Sequence, residues 1–402
     1  MEKEGKMKKT VRLPLVIGVA FLTFVLGFGV QNIRFFGSPL TTVSSNKSLR
    51  NNLDYSTVEQ VYDKLREDFD GQLDMQKLLD GAKKGLVDAA GDPYTTYLSK
   101  EQAELFSTQL SGTFSGIGAE LSKRDNRPVV ISPIEGYPAQ KIGVKAGDII
   151  IEIDGQDTSG MSVDDAVLKI RGEKGTKVTL KIVRTGTDNP LSFEITRDTI
   201  VIESVKSEML ADNIAYIRLT QFGDDTATKA IAAAKDLKSK GAKAVILDLR
   251  GNGGGYLNGA VNIAGIWMNN KLVTQEKRDG KVVESLKTSN QAILDGLPTV
   301  VLIDGGSASA SEIVSGALQD NKVATLVGQK SFGKGSVQQV EKLGDGSEVK
   351  VTIARWYTPA GKNIDKEGIK PDVEVELKDE DVKAGKDTQK DKAIEILKSN
   401  IK

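Results

Sequence analysis

The chain has 402 residues, with 55 basic and 55 acidic side chains and with neither histidine nor cysteine. Without an imidazole or a thiol, a Ser-His-Asp triad, a histidine zinc site, a cysteine nucleophile and a disulfide are all excluded. A net charge of zero and an aromatic content of 5% argue against nucleic acid as a partner. At ~150 residues per domain, the length predicts two or three folded domains.

The N-terminal segment has the pattern of a membrane anchor. A basic stretch, residues 1–12, precedes an uncharged run of eighteen residues from Leu13 to Val30, which would rise about 27 Å as a helix. Because a basic flank stays cytoplasmic, we expect a single-pass transmembrane helix, a linker at 31–52 and the rest of the chain outside the cytoplasm. The alternative is a cleaved signal peptide and a secreted protein, for which Gly27-Phe28-Gly29 offers only a poor cleavage site.

Residues 53–110 are predicted to form a helical cap. Ser56 and Glu59 have the spacing of a capping box, and apolar residues recur at helical spacing behind them. A second helix is expected around residues 78–87. Ser99 and Gln102 form another capping box, for a third helix that runs toward residue 110.

From Gly112 the pattern changes to short strands punctuated by glycines. One helix, from near Ser162 to Arg171, interrupts them. This run, which we place at 111–190, resembles a PDZ domain. Residues 115–118, Ser-Gly-Ile-Gly, stand where that family has its carboxylate-binding loop, and residues 146–155 match its central hairpin.

The resemblance to a PDZ domain implies a binding site for a peptide C-terminus. The backbone N–H groups of Gly116, Ile117 and Gly118 would converge on the carboxylate while the peptide adds to the sheet as a strand. Arg171, at the end of the helix, is a further candidate for peptide binding. Its alternative role is that of a surface cation that complements the helix C-terminus.

Apolar strands alternate with helices in residues 191–377, which indicates an α/β domain. Near-continuous apolar runs such as Ala244 to Leu249 predict strands that are buried on both faces. The charged tail, 378–402, is expected to carry one short surface helix at 390–397. We expect strands at 214–219, 244–249, 299–303, 323–327 and 348–356, and helices at about 225–239, 257–268 and 310–319.

Three loops rich in glycine and serine follow strand ends, and two of them raise nucleotide binding as an alternative. The loop at 248–255 is a strand-to-helix turn, but it lacks the Gly-x-Gly-x-x-Gly spacing. Residues 328–334 have the Gly-x-x-x-x-Gly-Lys spacing of a P-loop. However, Gly335 stands where a Ser or Thr should bind magnesium, and a strand rather than a helix follows.

The remaining loop, 305–312, places Ser309 at a helix N-terminus, where free N–H groups favour an attacking serine and its oxyanion. A capping box of Ser309 with Glu312 is the structural alternative. Since the chain has no histidine, Lys334 is one of few available bases. Its pKa would have to fall by roughly 3 units from ~10.4, through burial or nearby positive charge. Gln338 is predicted to share a strand face with Lys334 and to orient its amine.

Taken together, these motifs resemble the carboxyl-terminal processing peptidases, also called tail-specific proteases, over about residues 53–375. The motif order of that family is preserved. The residues that carry the resemblance are the PDZ-like run, Gly91-Asp92-Pro93-Tyr94-Thr95-Thr96-Tyr97-Leu98, Asp248-Leu249-Arg250-x-Asn252-x-Gly254-Gly255, Gly306-Ser307-Ala308-Ser309-Ala310-Ser311-Glu312 and Gly333-Lys334-Gly335-x-x-Gln338.

The resemblance implies an α/β fold in which a crotonase-like α/β spiral forms the protease core, with the PDZ domain inserted before it. It also implies that Ser309 is the nucleophile, Lys334 the general base and Gln338 the residue that positions the lysine. The oxyanion hole would consist of the N–H of Ala310 and that of one glycine in the 252–255 loop, either Gly253 or Gly254.

We therefore expect a serine endopeptidase outside the cytoplasm that cuts proteins near their C-termini through an acyl-enzyme, without a metal or cofactor. Its expected partners are proteins or peptides with accessible C-termini and the membrane, and whether it forms a homodimer is open. The alternative is a catalytically silent PDZ scaffold that binds protein C-termini.

Overall fold

The structure, a computed structural model, describes residues 54–124, 126–289, 292–378, 380–381 and 384–401. The predicted cytoplasmic tail, membrane-spanning segment and linker, residues 1–52, lie outside these ranges. Across the described residues, no helix combines the length and the apolar composition that a bilayer crossing requires. The membrane anchor therefore stays a prediction.

Residues 54–111 contain three helices and a short strand: α1 Ser56–Asp68, α2 Met75–Asp88, β1 Thr96–Leu98 and α3 Lys100–Ser111. The capping box predicted for α3 is confirmed, because Gln102 N–H donates to Ser99 Oγ at 3.3 Å and Ser99 N–H donates to Gln102 Oε1 at 3.1 Å. The box predicted at Ser56 is wrong. Ser56 lies inside α1, and its N–H donates to Asp54.

These helices differ in how they are held. α3 buries one apolar face, which includes Phe106. α1 and α2 have no buried residue. Polar contacts attach α2 instead: Tyr97 O–H donates to Asp80 Oδ1 at 2.5 Å, and Lys83 forms an ion pair with Asp345.

The PDZ-like unit is an antiparallel sheet, ordered β3-β4-β5-β7-β8 with β6 on β5, while β2 and β9 pair separately where the chain enters and leaves. The predicted helix is confirmed, with Ser162 as its N-cap and Arg171 as its C-cap. The sheet continues past the predicted boundary at 190. Its elements are β2 Thr113–Gly116, β3 Ala119–Arg124, β4 Arg127–Pro133, α4 Pro138–Lys141, β5 Ile149–Ile153, β6 Gln156–Asp157, α5 Val163–Ile170, β7 Lys177–Val183, β8 Leu191–Thr196 and β9 Asp198–Val201.

The C-terminal unit is built on a sheet ordered β10-β11-β12-β15-β16-β19, parallel except at β10. β12 and β15 are buried at every residue, as predicted. The elements are β10 Val205–Met209, β11 Ile214–Leu219, α6 Thr226–Ser239, β12 Ala244–Asp248, α7 Leu257–Ala264, β13 Leu272–Arg278, β14 Lys281–Lys287, β15 Thr299–Ile303, α8 Ala310–Asp320, β16 Thr325–Gly328, β17 Ser336–Lys342, β18 Glu348–Tyr357, β19 Val373–Glu374 and α9 Thr388–Asn400.

A second sheet was not predicted. The strand expected at 348–356 is present as β18, but it does not belong to the parallel sheet. It pairs antiparallel with β1, β13 and β17, and β14 continues from β13. Pairing partners up to about 250 residues away in the chain decide this assignment, so the local pattern of β18 could not reveal it.

The C-terminal helix is longer and more deeply packed than predicted. α9 begins at Thr388 instead of 390, and it buries Ala393 and Leu397 against the parallel sheet. Arg250 anchors its start, because the guanidinium contacts Asp387 at 2.8 Å and Asp248 at 2.7 Å. The tail is highly charged, but its helix has one apolar face that packs against the sheet.

Candidate active site

Ser309 lies at a sharp turn between β15 and α8. Its φ of 52° and ψ of −109° fall outside the regions that side-chain-bearing residues normally adopt. The residue is only 3% exposed. Gly254 lies so close that a Cβ on it would come within 3.1 Å of Ser309 Cβ. A serine held in a strained conformation at a helix start has the geometry of a nucleophile elbow.

The buried carboxylate of Glu312 ties the Ser309 turn to the Lys334 loop. Its Oε2 accepts hydrogen bonds from Ser309 N–H at 2.7 Å and from Lys334 N–H at 2.9 Å. Its Oε1 accepts from Ser331 Oγ and from Gly333 N–H, both at 2.6 Å. Burial raises the pKa of Glu312, while these hydrogen bonds oppose the rise. One side chain thus fixes the backbones of both loops.

The same contact removes the basis for the P-loop alternative. The N–H groups of Gly333 and Lys334, which would have to hold a phosphate, donate to Glu312 instead. The loop leads into a strand, and a Cβ at Gly335 would lie 2.1 Å from Asp365 N, so packing leaves no room there for a serine or threonine. Within the described ranges, no cluster of three acidic side chains is arranged to hold a metal ion.

Lys334 is a buried lysine, 5% exposed. Its Nζ lies 4.9 Å from the centre of the Tyr94 ring. Burial lowers the pKa of Lys334 to about 7, the positive charge of Lys350 adds to the decrease, and nearby carboxylates oppose it. A decrease of this size in the pKa is the one that Lys334 requires if it is to act as a base in a chain without histidine.

Gln338 does not lie beside Lys334 in the predicted way. β17 begins only at Ser336, and a bulge between Val337 and Gln338 breaks the alternation, so the shared strand face was wrong. Gln338 Nε2 donates to the carbonyl oxygen of Tyr94, whose ring lies under Lys334. Among the described residues, Gln338 Oε1 is buried without a hydrogen-bond partner.

The glycine loop after β12 packs against the start of α8. Gly254 N–H donates to Asn252 Oδ1 at 2.9 Å, and Gly254 O accepts from Phe222 N–H. A Cβ on Gly254 would lie 3.0 Å from Ala310 N. In the part of the chain that the structure describes, neither Gly253 N–H nor Ala310 N–H donates to a protein acceptor.

A cavity of about 200 Å³ joins the PDZ-like unit to this glycine loop. All the predicted peptide-binding residues lie on its wall, as do two of the predicted oxyanion residues. The PDZ groove therefore opens onto the glycine loop that packs against the start of α8. The predicted residues on the wall are Gly116, Ile117, Gly118, Arg171, Gly253 and Gly254.

Arg171 is held under an aromatic ring, not in solvent. Its guanidinium lies 4.1 Å from the centre of the Phe114 ring, and Nη1 donates to Thr108 Oγ1 at 2.8 Å. Burial lowers its pKa to about 10. Across the described ranges, no carboxylate lies within 4.0 Å of it. With these contacts Arg171 is a partly desolvated cation whose N–H groups can donate to a carboxylate.

The sequence interpretation missed what Tyr94 and Glu312 contact. Tyr94 entered only as part of the family motif at 91–98, and Glu312 entered only as a helix cap. For Glu312 a signal was present. From Ala310 to Leu318 the other residues of the helix are apolar or small, and a fully buried strand comes before it. A glutamate in that run needs several hydrogen-bond donors if it is to be buried.

Three families match the chain along its length. Residues 213–375 match Peptidase family S41, residues 107–183 match the PDZ domain, and residues 37–102 match the Activating protease CtpB N-terminal domain. Over 380 residues the chain is 38% identical to the Carboxy-terminal processing protease CtpA of Bacillus subtilis, which covers 94% of this chain and 79% of that protein. It is 37% identical to CtpB of the same organism, covering 80% of this chain and 68% of that protein.

A solved structure shows the same fold. The photosystem II D1 C-terminal processing protease matches with a TM-score of 0.55 and 31% identity, over 81% of this chain and 90% of that one. The S41 protease fold with a PDZ domain, expected from the motifs, is confirmed. The chain belongs to peptidase family S41, as a PDZ-containing carboxy-terminal processing serine peptidase.

Proposed function

We propose that this peptidase cuts proteins near their C-termini with a Ser-Lys dyad, in which Ser309 is the nucleophile and Lys334 the general base. The observation that carries the proposal is the carboxylate of Glu312, which binds the N–H groups of both residues on one oxygen. A pKa of about 7 leaves a large fraction of Lys334 neutral near neutral pH, and a neutral amine can accept the serine proton.

The proposed reaction begins with proton transfer from Ser309 to Lys334. Lys334 Nζ turns from the Tyr94 ring toward Ser309 and takes the Oγ proton while Oγ attacks the carbonyl carbon of the scissile bond. The lysine ammonium then returns that proton to the leaving amine, and the peptide C–N bond breaks to give the acyl-enzyme. Lys334 next deprotonates a water that attacks the ester carbonyl, and the ammonium returns this proton to Ser309 Oγ as the bond from Oγ to the carbonyl carbon breaks and the acid product leaves. Contacts of this kind are often long before substrate binds, and no hydrogen bond joins Lys334 Nζ to Ser309 Oγ among the described contacts.

Gln338 has a supporting role in this proposal. Its Oε1 is buried and lacks a partner among the described residues, while its Nε2 is held by Tyr94 O. A buried acceptor without a donor is costly, and the Lys334 ammonium formed during catalysis is a donor within the same group of side chains. Gln338 would therefore stabilise the protonated lysine after it leaves the ring.

The N–H groups of Ala310 and Gly253 are the oxyanion donors that we propose. Ala310 is the first residue of α8, where N–H groups have no partner within the helix and the dipole favours negative charge. Gly254 N–H is already bonded to Asn252. The absence of a side chain at Gly254 keeps the space beside Ala310 N open.

The PDZ groove binds the substrate tail in this proposal. The terminal carboxylate would accept hydrogen bonds from the N–H groups of Gly116 to Gly118 and a charged contact from Arg171, while the peptide adds along β3. The shared cavity then leads from this groove toward Gly253. Support comes from the positions of these residues on one wall.

A peptide with a C-terminal label tests the assignment. Wild-type protein should release the label, and Ser309→Ala and Lys334→Ala should not. Lys334→Arg should also be inactive, because a guanidinium stays protonated and cannot accept a proton. Substantial turnover by Lys334→Arg would show that position 334 supplies charge, not proton transfer. Binding without cleavage by the wild type would favour the silent scaffold.

We also propose a membrane location and a homodimeric assembly. The apolar segment at residues 13–30 would anchor the peptidase in the membrane, and the basic residues before it would stay cytoplasmic, which leaves the catalytic unit outside the cytoplasm. Protease accessibility in intact cells, with and without that segment, tests this location.

A homodimer would cover the exposed apolar side chains of α1 and α2, which include Val61 and Leu79. Sedimentation of the wild type and of Val61→Glu tests that assembly.

A further inference from the structure

Lys350 is a second buried lysine near the site, and the reaction proposed above does not use it. It lies on β18 and is 6% exposed. Its Nζ lies 4.7 Å from the centre of the Phe106 ring on α3. Within the described chain, no carboxylate comes within 4.0 Å of this ammonium. An ammonium removed from water without a close ion pair destabilises the fold, so a buried lysine of this kind indicates a function.

The strand register places Lys350 on the sheet face that carries Gln338. Lys350 pairs with Val340 of β17, and Thr352 pairs with Gln338. Directly opposed residues of antiparallel strands project to the same face, and residues two apart along one strand do so as well. Lys350 and Gln338 therefore project from the same face, and their residue pairs lie two positions apart in the register.

A short segment links the two lysines. Lys334 Nζ lies over the ring of Tyr94, and Lys350 pairs with Thr96 of β1, two residues further on. Two residues of chain span at most ~7 Å. Lys334 thus contacts, and Lys350 pairs beside, the same segment, Tyr94 to Thr96. Among the described residues, no carboxylate forms an ion pair with Lys350 within 4.0 Å.

The charges around the pair favour loss of the proton from Lys334 first. Burial lowers the pKa of Lys350 to about 8, whereas that of Lys334 is about 7 because burial and the charge of Lys350 act together. Because the charge of Lys350 acts on Lys334, the two buried ammonium groups titrate as a coupled pair. The carboxylates that oppose these decreases are Asp164 on α5 and Glu348 on β18 near Lys350, and Glu312 and Asp92 near Lys334.

We propose that Lys350 is a positioning residue for the peptidase reaction: its buried ammonium repels a second positive charge beside the same segment and so leaves Lys334 as the neutral amine that Ser309 requires. The inference rests on the proposed function, because the repulsion assists catalysis only if Lys334 is the base. Lys350 forms and breaks no bond in this scheme.

The test is the pH dependence of Ser309 acylation by a fluorophosphonate probe, together with kcat/KM for a labelled peptide. Lys350→Met removes the charge at similar side-chain length, Lys350→Arg keeps the charge, and Lys342→Met changes an exposed lysine on the adjacent strand. We expect Lys350→Met to move the midpoint of both profiles upward by about one pH unit, which lowers the rate about tenfold at pH 6 and leaves it unchanged above about pH 9. The other two variants should keep the wild-type midpoint.

A Lys350→Met profile with the wild-type midpoint overturns the proposal, as does a loss of the same factor at every pH, which a merely structural role would give. If Lys350→Met does not fold, Lys350→Gln replaces it in the same measurement. Lys334→Ala distinguishes a failure of the base assignment from a failure of the role proposed for Lys350. Turnover by Lys334→Ala refutes the base assignment itself, whereas an inactive Lys334→Ala with an unshifted Lys350→Met refutes only the role of Lys350.

Discussion

Replacing Lys334 by methionine should stabilise the fold while it removes the proposed base. The lysine is 5% exposed, and its pKa in the folded chain is about 7 against 10.5 for a free lysine. Because the folded pKa is the lower one, the folded state is penalised wherever the unfolded chain holds the proton. The penalty is complete below pH 7 and fades as the pH rises from about 7 to 10.5. The difference corresponds to about 5 kcal/mol.

The expected gain for Lys334→Met is therefore up to about 5 kcal/mol in the free energy of unfolding at pH 6, reduced by about 1 kcal/mol for the lost contact of the ammonium with the Tyr94 ring. It should approach zero near pH 10.5. Urea unfolding at pH 6, 8 and 10 measures it, with the exposed Lys342→Met as the control. A gain that is absent at pH 6, or equally large at pH 10, would refute the inference that Lys334 is buried with a strongly lowered pKa.

Three further predictions concern the parts that surround the dyad. Glu312→Gln should lower kcat at least about 100-fold and the free energy of unfolding by about 2 to 4 kcal/mol, because the new NH₂ faces at least one backbone N–H donor in either orientation and cannot accept from it; near-normal kcat would contradict the proposed role of Glu312 in holding both loops. Gly254→Ala should abolish turnover, since its Cβ would come 2.8 Å from Ala308 O and 3.0 Å from Ala310 N, whereas Gly251→Ala, also at positive φ but in open space, should remain active in the same peptide assay. Arg171→Ala should raise KM for peptides with a free C-terminal carboxylate and leave KM for amidated peptides unchanged; equal kcat/KM for both peptides in the wild type would exclude carboxylate recognition.

The sequence alone determined the features that depend on neighbours in the chain. Continuous apolar runs marked β12 and β15, because a strand covered on both faces has no polar position to interrupt the run. The capping box at the start of α3 was readable because both of its hydrogen bonds join residues three apart. The loops that carry Ser309 and Lys334 were found in the same way, from glycine and serine after strand ends, and the absence of histidine in the chain directed attention to lysine.

Only the tertiary structure decided what those loops contact. Glu312 and Lys334 are 22 residues apart, and Gln338 Nε2 bonds to Tyr94 O across 244 residues. The placement of β18 in an antiparallel sheet and the burial of one face of α9 also depend on such distant partners. Hydrophobic periodicity indicates which face of a helix or strand is buried, but it does not indicate which other element packs against that face. For that reason the candidate nucleophile and base could be predicted from the sequence. The sequence could not predict the Glu312 contacts that join their loops, the burial that lowers the pKa of the base, or the second buried lysine near it.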